Sequence, residues 1–114
     1  MLVEREDIDA ELEYLRKIAD GFGEVLPSMP GQSVTVGKTS STLLSSNENR
    51  RYAIIVNDSA HTIYLALGST ARVNEGIRLN SGGGGYEITA LNLYRGEVTA
   101  VSAFGNCNVT LMEG

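Results

Sequence analysis

The chain has 114 residues and a net charge of −5, with 42% hydrophobic residues, 6% aromatic, no tryptophan, one cysteine and one histidine. That length suits a single domain burying roughly two thirds of its unfolded surface. A lone Cys107 excludes an internal disulfide framework or a cysteine-rich zinc site, and the acidity argues against a general nucleic-acid binder. No apolar run is long enough to span a membrane, and the acidic start Met1 to Asp7 lacks a signal peptide's apolar centre.

The acidity is concentrated at the front. Residues 1–20 carry seven acids (Glu4, Glu6, Asp7, Asp9, Glu11, Glu13, Asp20) against Arg5, Arg16 and Lys17, whereas residues 33–114 balance six against six. Residues 1–22 are rich in Glu, Leu, Ala, Arg and Lys, with acids early and bases late, which predicts a helical leader. Ile8, Leu12, Leu15, Ala19 and Phe22 recur at spacings of four and three, the a/d pattern of two heptads. An amphipathic helix packed on the domain or on a partner fits the same spacing. Residues 23–32, with Gly23, Pro27, Pro30 and Gly31, read as a linker that stops the helix. Ile8, Leu12, Leu15, Phe22, Val25 and Leu26 are the candidate contacts with a partner or another copy.

Residues 33–114 read as short strands separated by turns. Ser33–Val36 alternates, and Lys38 to Asn49 is polar, a loop or weak strand anchored by Leu43 and Leu44. Arg51 to Asn57 is the strongest strand signal, and Thr62 to Gly68 follows across a tight Asn57–His61 connection as an expected antiparallel hairpin partner. Tyr52, Ile54 and Val56 share one face of the first strand, and Ile63, Leu65 and Leu67 share one face of the second. Gly76–Leu79, Tyr86–Ile88, Gly96 to Ala103 and Cys107 to Glu113 complete the set. The expected fold is all-β, an antiparallel β-sandwich or small jelly roll at 33–114, preceded by a short N-terminal α-helix.

The run Arg51-Tyr52-Ala53-Ile54-Ile55-Val56-Asn57-Asp58-Ser59, followed by Ile63-Tyr64-Leu65-Ala66-Leu67-Gly68, resembles a pattern in small tailed-bacteriophage virion proteins. Gly76-Ile77-Arg78-Leu79, Tyr94 to Val101 and Val109-Thr110-Leu111-Met112-Glu113 match that pattern in order and spacing, so the resemblance covers residues 51–114. It implies a non-enzymatic virion part, a capsid decoration (cement) protein or a head or tail fibre component. Such proteins are often trimers, which would suit the leader's heptads. The implied partners are other copies of the chain and the major capsid or another virion protein. No catalytic, cofactor or metal-binding residue carries over.

The candidate chemistry is thin. Asp58, Ser59 and His61 sit too close on one turn to divide the work of a catalytic triad, and read as a polar turn. Gly82 to Gly85 lacks the following helix and the lysine of a phosphate loop. Tyr52, Tyr64, Tyr86 and Tyr94 read as core or interface residues, although the loop at Gly82–Tyr86 with an exposed tyrosine would serve a carbohydrate-binding module. The leader's carboxylates point several ways round the helix and suggest no metal site. An associative, structural role leads. A fibre or tail-tip component and a carbohydrate-binding module are the alternatives.

Overall fold

The computed structural model describes residues 28–114, so the leader and its six candidate contacts, Ile8 through Leu26, lie outside the described residues. The strands are β1 Gln32–Val36, β2 Ser41–Leu44, β3 Ala53–Asn57, β4 Ile63–Leu67, β5 Ile77–Leu79, β6 Gly85–Ile88, β7 Val98–Ser102 and β8 Cys107–Glu113. No helix occurs among the described residues. Two four-stranded antiparallel sheets form, ordered β1-β8-β3-β6 and β2-β7-β4-β5.

Alternation explains how the two sheets share one core. Ala53 and Ile55 of β3, Ile63 and Leu65 of β4, Val98 and Ala100 of β7, and Cys107, Val109 and Leu111 of β8 are all buried in it. Tyr52, Ile54 and Val56 do share a face, but it is the half-buried outer one, while Ala53, Ile55 and Asn57 turn inward. Strand β7 is buried along its whole length, on both faces. The polar stretch after Lys38 contributes a true strand, β2, which pairs with β7 through an irregular register between Thr42 and Leu44.

The expected hairpin between the strands at Arg51–Asn57 and Thr62–Gly68 does not form. β3 pairs with β6 and β8, and β4 pairs with β5 and β7, so the short Asn57–His61 connection crosses from one sheet to the other. The turn at Gly105–Asn106 crosses likewise, between β7 and β8. Among the described strands, only β4 and β5 are both consecutive in the chain and neighbours in one sheet. Alternation cannot separate the two outcomes, because it sets inner residues side by side in a hairpin and face to face across a sandwich. The deciding group is the buried Asn57 side chain. Its Nδ2 donates to the carbonyls of His61 (2.7 Å), Leu79 (3.0 Å) and Asn80 (3.2 Å), and its Oδ1 accepts from the Ser59 amide. That pulls the chain towards the β5–β6 connection instead of folding it back along β3.

Arg50 plays the matching part in the loop between β2 and β3. It is fully buried, and its Nε donates to Glu113 Oε2 at 2.6 Å. Nη1 donates to the carbonyls of Tyr94 and Gly96, both at 2.9 Å, and Nη2 to that of Ser45 at 2.7 Å. A buried charge is tolerable only when paired and saturated in this way. Arg50→Ala strands those carbonyls without donors and should cost about 3–5 kcal/mol in urea unfolding. Glu113→Gln keeps an acceptor for Nε but removes the counter-charge of a guanidinium with no solvent contact, and should cost about 1.5–3 kcal/mol, less than Arg50→Ala.

Candidate functional site

The residues singled out from the sequence go to separate duties. Ser59 Oγ lies 2.6 Å from Asn57 Oδ1, Asp58 accepts from Asn108 Nδ2 at 3.2 Å, and the His61 ring stacks on Phe104 with centroids 4.1 Å apart. The three side chains thus have three different partners and the turn is a polar connection, as its sequence suggests. Gly82 to Gly84 lie in the β5–β6 connection and Gly85 opens β6. Gly82 and Gly83 have positive φ (71° and 117°), and a Cβ on Gly84 would collide with the Asn80 backbone. The amides of Gly82, Gly83 and Gly84 donate to the carbonyls of Ser59, Asn57 and Asn80. No successive free amides remain there to cradle an anion.

The tyrosines are committed too. Tyr86 and Tyr94 pack against the core, Tyr64 donates to Asn74 Oδ1 at 2.9 Å, and Tyr52 donates to Glu87 Oε2. The Gly82–Tyr86 loop therefore offers no free aromatic platform. Cys107 is buried and unpaired in a disulfide, with its thiol 3.3 Å from Ser102 Oγ. Among the described residues, no group of three or more His, Cys, Asp and Glu stands together to hold a metal ion, and no helix is long and apolar enough to cross a membrane.

Two surface features went unread in the sequence. The first is the turn Thr89-Ala90-Leu91-Asn92. Asn92 Oδ1 accepts from the Thr89 amide at 2.7 Å and Nδ2 donates to the Glu87 carbonyl at 2.8 Å, while the Asn92 amide closes on Thr89 O. So braced, the turn holds Leu91 outward with 82% of its surface exposed, and Leu93 follows at 41%. Its only signal in the sequence is a Thr and an Asn three apart, a spacing that suits local side-chain bonds.

The second is a cleft of about 350 Å³ on the outer face of β2 and β7, lined by Ser40, Ser41, Thr42, Ser69, Thr70, Glu97 and Thr99. The chain leaving β4 builds its wall: Thr99 Oγ1 donates to the Ser69 carbonyl at 2.6 Å, and the Ala71 amide donates to Ser40 Oγ at 2.9 Å. Thr42 Oγ1 donates to Glu97 Oε2 at 2.9 Å, which ties that carboxylate to a second lining residue. Ser41 Oγ is buried without a hydrogen-bond partner. Nothing in the alternation of the strands marks these hydroxyls as neighbours, because the wall comes from a loop.

The Tyr52–Glu87 pair gives a measurable signature. The hydrogen bond to the Glu87 carboxylate raises the Tyr52 pKa above 10.0, with burial and the carboxylate's charge adding in the same direction. A raised folded-state pKa means the bond's contribution is complete below pH 10 and disappears as pH climbs through the folded value. Glu87→Gln should bring the Tyr52 titration down towards that of a free tyrosine in an ultraviolet pH titration, with Tyr52→Phe identifying the signal.

No family model matches the chain, and neither a curated protein nor a solved structure matches it.

Proposed function

We propose that this chain is a structural protein of a tailed-phage virion, a capsid decoration protein that assembles with itself as a trimer and stabilises the head through subunit contacts. The observation that carries the reading is the braced turn with Leu91 on it. A leucine exposed to 82% on a turn held by the Asn92 side chain has little backbone freedom left to lose when it enters a partner's pocket. Holding an apolar side chain in place beforehand lowers the ordering cost of association.

The strand order supports the same reading. Sheets ordered β1-β8-β3-β6 and β2-β7-β4-β5, with almost every connection crossing between them, follow a jelly-roll arrangement. That architecture serves viral capsid domains as well as lectins. In this reading the leader's Ile8, Leu12, Leu15 and Phe22 join copies of the chain, with Val25 and Leu26 beside them. Leu91 and Leu93 meet the shell protein. Many weak contacts, repeated over a lattice, then stabilise the head by mass action.

Light scattering on the full chain should give a trimer, and Leu12→Glu with Leu15→Glu should drive it towards monomer. Leu91→Glu should leave the trimer intact while weakening binding to phage heads stripped of the protein by about 2 kcal/mol or more. A wild-type chain that stays monomeric and ignores such heads would sink the reading.

A further inference from the structure

We propose that the cleft between β2 and the Ser69–Ala71 segment is a binding site for a neutral saccharide. The inference stands apart from the assembly reading, since it uses none of the residues assigned to subunit contacts.

The chemistry of the lining selects the ligand class. Six of the lining residues carry hydroxyls: Thr42 and Thr99 spend their hydroxyl hydrogens within the wall and Ser41 Oγ is buried, so Ser40, Ser69 and Thr70 are left to donate to a ligand; the seventh, Glu97, carries a carboxylate, and no cation lines the cleft. An anion such as a phosphate or a sialic acid would meet Glu97 with nothing to offset its charge. A calcium ion takes six to eight oxygen ligands and usually several carboxylates, whereas this cleft offers one. An apolar ligand would strip water from the hydroxyls and return no hydrogen bond. What remains is a ligand that both donates and accepts through uncharged hydroxyls, which is a sugar.

The cleft is also built, not incidental. Thr99 fixes one end of the wall through the Ser69 carbonyl, Ser40 fixes the other through the Ala71 amide, and Ala71 itself is buried. Thr42 holds the Glu97 carboxylate as the acceptor for a sugar hydroxyl. The Glu97 carbonyl accepts from the Gly68 amide at 2.9 Å and from Tyr94 Oη at 3.1 Å, so the residue's backbone does not depend on its side chain. The volume of about 350 Å³ lies at the lower end of ligand pockets. It suits one monosaccharide or the terminal residue of a longer glycan.

The test is an amide NMR titration of the full chain with glucose, galactose, mannose and N-acetylglucosamine, with sialic acid and calcium chloride as separate arms. At least one neutral sugar should give saturable shifts confined to residues 40–42, 69–71 and 97–99. Glu97→Gln should weaken that binding by about tenfold or more, as expected for loss of a hydrogen bond to a charged acceptor. It should keep the folded spectrum and the oligomeric mass. Leu91→Glu should leave the sugar affinity unchanged. Absence of saturable shifts with every neutral sugar would overturn the proposal, as would shifts centred on Gly82–Tyr86. A stronger response to sialic acid or calcium than to the neutral sugars would overturn it as well.

Discussion

A guanidinium with no solvent contact must be met on every side by acceptors, and Arg50 meets that demand by drawing three segments to one point, two of them distant in the chain. Ser45 at the end of β2, Tyr94 and Gly96 ahead of β7, and Glu113 of β8 all accept from it. The Arg50 carbonyl in turn accepts from Arg95 Nε at 3.0 Å, and the Arg95 carbonyl from the Asn47 amide at 2.8 Å. The sheets are therefore joined by saturated polar bonds as well as by their apolar core. Asn57 does the same for the loops that include His61 and Asn80, with a neutral amide in place of a charge. An amide carries a smaller desolvation cost than a charge, so fewer acceptors suffice to hold it.

Both surface features hang on the Arg50 hub. Its bond to the Tyr94 carbonyl anchors the loop that carries Leu91 and Leu93, and its bond to the Gly96 carbonyl sets the residue just before Glu97. The loop's free end is then braced locally by Asn92. Damage to Arg50 would reach the exposed turn and the cleft together, whereas changes at Leu91 or in the Glu97 side chain stay local.

The strands were legible because their residues obey a period of two and are closed by turn residues. Arg51 to Asn57, Thr62 to Gly68 and Cys107 to Glu113 each announce themselves by this rule. Their pairing was not legible, since alternation is the same for a hairpin and for an arch across a sandwich. The information lay in Asn57, a polar residue at an inward position with carbonyls from three residues within reach of its amide. A buried asparagine at a strand end is a sign that the chain leaves the sheet there. β2 was only half legible because Ser41 and Thr42 lack apolar alternation, and the strand takes its place from β7 rather than from its own sequence.

The candidate sites were less legible than the fold, for a related reason. The cleft joins residues 40–42, 69–70, 97 and 99, which come together only once β2 and β4 flank β7 and the chain beyond Gly68 folds back over the sheet. No local pattern can encode such a meeting. A separation of roles follows from the geometry. The inner faces are consumed by the core, and the Asn57 and Arg50 clusters consume the polar groups of the loops they bind. Two features that stay on the surface of the described residues are the hydroxyl cleft on the outer face and the apolar tip of one braced turn. The first is polar and concave, the second apolar and convex, so one ligand cannot satisfy both. In the reading proposed above, the turn attaches the chain to a large protein surface while the cleft stays open to a small ligand from solvent.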